Sequence, residues 1–276
     1  MKTRIISAAV ALILLAGVLY LGASFPIVIT IFISFISAVA AHEILHTTKL
    51  VKNNILTAGG IVYSALMPFV YTNYLPIDAS HIGIVFAILL VLVTLIKHSS
   101  TEVSELCAAF ALPVFVSFSF SNLGILMAAA DGHGLFYFLL ACAFAWGCDT
   151  GAYFTGVFFG KHKMAPILSP KKTWEGAAGG LVFAAGISAL IAVIFNRISS
   201  DSTANILIIA LIAPVFAVLG MIGDIAASYI KRKTGIKDYG KIMPGHGGVL
   251  DRFDSLLLIA PVFSSFLQLV DIVSPR

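Results

Sequence analysis

The 276-residue chain is 59% hydrophobic and only 11% charged, with a mean hydropathy of +1.03 and a formal net charge of +4. A chain this apolar is not a water-soluble enzyme. Its long apolar runs leave no length for a separate soluble domain. The three cysteines, Cys107, Cys142 and Cys148, all lie in apolar segments and show neither metal-ligand spacing nor a disulfide framework, so they read as small core hydrophobes.

In chain order, apolar runs predict nine membrane helices, over Ile5–Leu21, Phe25–Ala41, Ile55–Val70, Ile82–Ile96, Leu106–Phe118, Leu135–Phe154, Gly176–Phe195, Ile206–Ile222 and Leu256–Val273. Lys2 and Arg4 before the first run give it a signal-peptide look. Further spans follow at once, so it is read as a first membrane helix. Pro113 and the serines at 117–121 are expected to break or bend the fifth span. The fold class is therefore an all-α polytopic membrane protein. Residues 1–130 are read as an N-terminal helical scaffold, a lipid groove or a dimer surface, and 131–276 as the catalytic region.

With these spans, fifteen of the 17 Lys and Arg fall on one side, and only Arg197 and Arg276 on the other. The positive-inside rule makes the basic side cytoplasmic, with the N-terminus inside. The two largest loops on that side, Gly160–Glu175 and Lys231–Gly248, are where function is to be sought.

Charge is concentrated in residues 228–254, which gather Lys231, Arg232, Lys233, Lys237, Lys241 and Arg252 with Asp238, Asp251 and Asp254. Carboxylates near the membrane zone are functional candidates, because insertion scales put an ionised Asp at ~2.5–3.5 kcal/mol at mid-bilayer. Asp149 and Asp224 sit where apolar runs approach the basic face, and Asp251 and Asp254 share a helix face at i, i+3. Four such acids suit a hard divalent cation; N-capping or pairing with Arg252 and lysines is the alternative.

The turn Pro244-Gly-His246-Gly247-Gly248 can bring backbone N–H groups to an anion, helped by the positive end of a helix starting near Leu250. His246 can touch phosphate, move a proton or simply be a hydrogen-bonded loop residue. In the other loop, Ser169, Lys171, Lys172 and Thr173 supply phosphate donors beside a helix start, and Trp174 suits the interface.

The sequence holds two further patterns. His42-Glu43-Ile-Leu-His46 has the zinc-peptidase order, but an intramembrane protease leaves the 228–254 cluster unexplained. Gly147-x-x-x-Gly151 and Gly176-x-x-x-Gly180 allow close helix approach, within one chain or between the two copies of a homodimer.

The stretch from Ser228 through Lys231-Arg232, Lys237-Asp238, Gly240, Pro244, His246-Gly247-Gly248 and Asp251-Arg252 to Asp254 resembles the signature of the phosphatidate cytidylyltransferase family. Asp149-Thr-Gly-Ala-Tyr, Gly160-Lys-His-Lys and Ser169-Pro-Lys-Lys-Thr-Trp-Glu-Gly are similar to a second block of that family, with Thr150 where Ser is usual. The two blocks cover roughly a quarter of the chain, all from Asp149 onward.

The resemblance implies transfer from CTP to phosphatidic acid, giving CDP-diacylglycerol and pyrophosphate, with Mg²⁺ as cofactor and a second metal ion left open. It implies metal ligation by Asp224, Asp251, Asp254 and Asp149, catalysis by these first three with Lys171 and Lys172, and substrate contacts from Ser169, Thr173, Lys231, Arg232, Lys237, Asp238, His246, Gly247, Gly248 and Arg252. The membrane lipid is then a substrate and no nucleic-acid partner is expected. The expected location is the inner (plasma) membrane, active face to the cytoplasm. A CTP-dependent lipid kinase and an ion transporter are the competing readings.

Overall fold

The computed structural model describes residues 2–99, 101–129, 132–245 and 247–276. They form eleven α-helices and two small two-stranded sheets. Seven helical stretches are long and apolar enough to cross a membrane: Ile27–Thr47, Asn54–Tyr71, Ala79–Ile96, Val103–Met127, Gly134–Phe159, Trp174–Ile198 and Ile206–Lys233. Two shorter apolar helices, Ala9–Ser24 and Leu256–Leu267, fall where the first and last spans are expected. The protein is an all-α polytopic membrane protein.

The chain divides into two compact units. The first holds residues 1–128 with 230–253, the second 129–229 with 254–276. The chain passes between them at Ala128–Ala129, inside one helix, α9 (Ile206–Lys233), and again at Phe253–Asp254.

In the first unit, α2 (Ile27–His42) continues into a π-helical turn at Glu43–Thr47 and packs against α3 (Asn54–Tyr71) and α5 (Val103–Met127). Ile33, Leu45, Leu56, Phe120 and Leu123 are fully buried among them. Asn53 caps α3 by accepting the Ile55 N–H at 2.9 Å, one of the donors a helix start leaves unpaired. The break expected near Pro113 does not occur: α5 is continuous, and the Pro113 carbonyl accepts the Ser64 hydroxyl of α3 at 3.4 Å. The missing Pro113 N–H costs one helical bond, to the carbonyl four residues back, and the packing of α5 on α2 and α3 keeps the helix intact through it. α1 (Lys2–Ser24) lies against α2, and α4 (Ala79–Ile96) exposes Ile84, Val85, Ile88 and Leu92, an apolar face suited to lipid.

In the second unit, α6 (Gly134–Cys142) passes through a π turn, Ala143–Gly147, into α7 (Cys148–Phe159). α7 packs closely on α8 (Trp174–Ile198). The glycines with small-residue spacing make this possible: a Cβ on Gly180 would lie 2.8 Å from the Cys148 carbonyl oxygen, and one on Gly176 2.8 Å from that of Ala152. Here the close approach is within one chain. Phe144, Phe216 of α9 and Phe263 of α11 (Leu256–Leu267) form a triad with ring centroids 5.1–5.2 Å apart. The loop after α7 is a β-hairpin, β1 (Lys163–Ala165) with β2 (Ser169–Thr173). β3 (Ser202–Ala204) pairs with β4 (Val273–Pro275), ending the last helix earlier than its apolar run suggests.

Gly180→Leu is expected to push α7 from α8 and lower stability by ~1–3 kcal/mol or more. Gly186→Ala, where nothing lies within 4 Å, should be neutral or slightly stabilising. Thermal unfolding in detergent checks both; equal midpoints for the two variants would contradict the packing argument.

Candidate active site

The site residues fall into two groups, each within one unit. The first surrounds the loop between α9 and the short helix α10 (Leu250–Phe253). Asp251, whose side chain is 2% exposed, lies 2.9 Å from the ammonium of Lys231, itself 12% exposed. Its Oδ2 accepts the N–H of Tyr239 at 2.8 Å and of Gly248 at 3.0 Å. Lys231 also sits 5.2 Å from the ring centroid of the fully buried Tyr239, a cation–π contact. Asp251 is thus a buried carboxylate with three donors, the condition under which a charge is tolerated out of water.

A second carboxylate holds the other side of the same loop. Glu43, 2% exposed, accepts the N–H of Val249 at 3.0 Å and of Leu250 at 2.8 Å. The sequence predicts that the glycine-rich turn and the start of α10 can cradle an anion. The structure puts the protein's own carboxylates on the amides of Gly248, Val249 and Leu250. Gly247 has φ +86°, a conformation other residues rarely adopt, and its Cα faces the Asp251 carboxylate. Arg232, Lys237, Asp238 and Arg252 are exposed around this group. His246 lies outside the described residues.

The second group is a cleft of about 240 Å³ in the second unit, lined by Asp149, Tyr153, Ser169, Lys171, Lys172 and Thr173 with Ala152, Met164, Gly176, Ala177 and Met221. The hairpin positions its donors. Thr173 caps α8, accepting the Gly176 N–H at 3.1 Å, so its hydroxyl hydrogen can still be donated. Glu175 accepts the N–H groups of Lys161 (3.1 Å) and His162 (3.2 Å) and the His162 Nδ1 contact at 2.6 Å, which ties the base of the hairpin to α8. Lys172 Nζ, a buried atom, pairs with Asp224 Oδ2 of α9 at 2.5 Å without a well-directed hydrogen bond. Ser228, one turn on, donates to Asp224 Oδ1 at 3.4 Å.

Asp149, Ser169, Lys171, Lys172 and Thr173 are therefore brought to one cleft, with Asp224 on Lys172. Lys231, Gly247, Gly248 and Asp251 are brought together in the other unit. Asp254 is buried and accepts the N–H of Ser255 at 2.8 Å, and its carbonyl lies against Gly223 of α9. Among the described residues no three His, Cys, Asp or Glu side chains form a ready metal cage. Glu43 is the buried carboxylate at this loop that motif reading does not assign to it. The signal was its charge in an apolar run, masked by the flanking histidines.

A family model described as the cytidylyltransferase family matches residues 2–270. The chain is 33% identical over 274 residues to the phosphatidate cytidylyltransferase of Staphylococcus haemolyticus, covering 97% of this chain and 99% of that one. It is 34% identical over 276 residues to that of Bacillus subtilis, covering 98% of each, and 34% identical over 275 residues to that of Staphylococcus aureus (strain COL), covering 97% and 99%. A basic cleft beside carboxylates on a polytopic helical fold defines a membrane enzyme that handles phosphates. The chain belongs to the cytidylyltransferase family and is a CTP-using nucleotidyltransferase.

Removing one partner of the Lys231–Asp251 pair leaves a buried charge. Lys231→Met is expected to destabilise the protein by ~3 kcal/mol, and the Lys231→Met/Asp251→Asn pair by clearly less than the sum of the single changes. Denaturation in detergent without nucleotide checks this; strict additivity would mean that the two groups do not interact.

Proposed function

We propose that the protein transfers the cytidylyl group of CTP to phosphatidic acid, releasing pyrophosphate and forming CDP-diacylglycerol, at the cytoplasmic face of the inner membrane. The observation that carries this reading is the Lys172–Asp224 pair beside the cleft lined by Asp149, Ser169, Lys171 and Thr173. It sets cations for phosphate next to carboxylates for a counter-metal, in a chain whose curated relatives bear that enzyme's name.

The chemistry asks little of a base. A lipid phosphomonoester has a second pKa of about 6, so its attacking oxygen is already largely ionised at neutral pH. It forms a bond to the α-phosphorus of CTP as the bond to the β-phosphate oxygen breaks, and the pyrophosphate leaves with the electron pair. The barrier is the approach of one anion to another, which positioned cations and hydroxyl donors lower. Lys171, Lys172, Ser169 and Thr173 are assigned to phosphate oxygens at the cleft. Arg232, Lys237 and Arg252 are assigned to the nucleotide side, with Asp238, His246 and the glycine turn.

Mg²⁺ is commonly held by one or two carboxylates together with substrate phosphates and water, so no three-residue cage is needed. Asp149, which lines the cleft, and Asp224, which pairs with the cleft residue Lys172, are assigned to that role. When bound there, Mg²⁺ would neutralise charge on the triphosphate and the leaving pyrophosphate. Asp251 and Asp254 are assigned as further ligands, since a carboxylate that accepts N–H donors keeps lone pairs for a metal. The basic side of the chain, where both groups of residues lie in the positive-inside reading, supports the cytoplasmic assignment.

Purified protein with labelled CTP, phosphatidic acid and Mg²⁺ is expected to give CDP-diacylglycerol and pyrophosphate in equal amounts, and neither once the metal is chelated. CDP as the nucleotide product would make the enzyme a lipid kinase instead. Asp224→Asn should lower kcat by about a hundredfold or more with the fold intact. Wild-type turnover in that variant would remove Asp224 from the machinery.

A further inference from the structure

Glu43 takes no part in the reaction as drawn above, yet it is among the most deeply buried charged residues of the protein. It stands at the end of α2, where the helix loosens into the π turn Glu43–Thr47. His42 and His46 are both exposed and stack on each other with ring centroids 5.2 Å apart. Glu43 is one residue round the helix from His42 and is buried, with its carboxylate on the loop before α10. The zinc-peptidase order therefore has its glutamate engaged elsewhere.

That engagement is specific. The two oxygens accept two consecutive amides, Val249 and Leu250, from a segment more than 200 residues away in sequence. Gly240 and Gly248 press against the carboxylate; a Cβ on either would overlap it, so a larger residue at these two places would displace the carboxylate from its seat. Asp251 holds Tyr239 and Gly248 by their amides. Between them, Glu43 and Asp251 fix four amides at the two ends of the turn that runs from Gly240 to Gly248. Phe253 completes the anchoring, its ring 5.5 Å from that of Phe120 in α5.

We infer that Glu43 is a positioning residue for the CTP-using reaction. It sets the 239–250 loop in its working shape before nucleotide arrives, so that the cationic side chains around the loop meet CTP already arranged. The inference rests on the proposed function only in assigning this loop to the nucleotide. The carboxylate form matters because it offers an acceptor to each amide, whereas a glutamine would turn an NH₂ toward one of them. An orphaned buried amide then favours opening of the loop.

The experiment compares full-length wild type with Glu43→Gln, Glu43→Asp and His46→Ala in detergent. Without nucleotide, trypsin should cut after the exposed Lys237 and Lys241 about tenfold faster in Glu43→Gln than in wild type, with little change in the thermal midpoint. KM for CTP should rise roughly tenfold while KM for the lipid stays near wild type. His46→Ala should digest and turn over within about twofold of wild type, as an exposed side chain should. If Glu43→Gln does not fold, Glu43→Asp is read in the same way, with a smaller rise in both quantities. Wild-type digestion and wild-type KM for CTP in the folded variant would overturn the inference, as would loss of turnover in His46→Ala with its loop still resistant. The digestion uses no substrate, so it gives its answer even if phosphatidic acid proves not to be the acceptor.

Discussion

A carboxylate taken out of water must be met by donors, and in this apolar chain most of those donors are backbone amides. Asp251 accepts Tyr239 and Gly248, Glu43 accepts Val249 and Leu250, Glu105 accepts Lys52 and Asn53, and Glu175 accepts Lys161 and His162. Four of the chain's 13 acids thus fasten loops or helix starts. Asp251, Glu43 and Glu105 also offset the cost of their own burial in the same contacts, while Glu175 stays about a quarter exposed. The loop at 239–250 depends on two of these contacts together, and the ion pair from Lys231 balances one of them.

The consequence is a division of labour among groups that look alike in sequence. Asp251 has Lys231, Tyr239 and Gly248 around it, so the loop's geometry rests on it. Asp224 holds only Lys172 and, more loosely, Ser228, and both its side chain and that of Lys172 remain about one-fifth exposed. In the proposed reaction such a pair, with few other contacts to hold it, exchanges partners with an incoming phosphate and cation. Stiffness thus resides where backbone is held, and in the proposed reaction the more loosely held charge lies where substrate is admitted.

Much of the architecture was legible because spanning helices are written in runs of about 20 apolar residues. The runs at Ile55–Val70 and Ile82–Ile96 needed no tertiary information. Pro113 misled because a proline weakens a helix by itself, whereas here α5 packs against α2 and α3 and stays helical through the one lost bond. The β1–β2 hairpin was hidden because Pro166, Pro170 and paired lysines give no alternation of apolar and polar residues. The cleft residues were legible one by one, as basic and hydroxyl groups beside a helix start. The Lys172–Asp224 pair was not, since it joins a hairpin to a helix about fifty residues on. Glu43 was least legible of all: its partners are two main-chain amides, which carry no signature of residue type.

The central claim is that the glycine-rich loop is shaped by the protein's own carboxylates and not by the nucleotide. Hydrogen–deuterium exchange of the 239–252 segment in the detergent-solubilised protein, without CTP, tests it most directly. The account predicts that the amides of Tyr239, Gly248, Val249 and Leu250 exchange slowly before any nucleotide is added, and that CTP changes them little. Exchange at the rate of an open chain, slowing only when CTP binds, would contradict it.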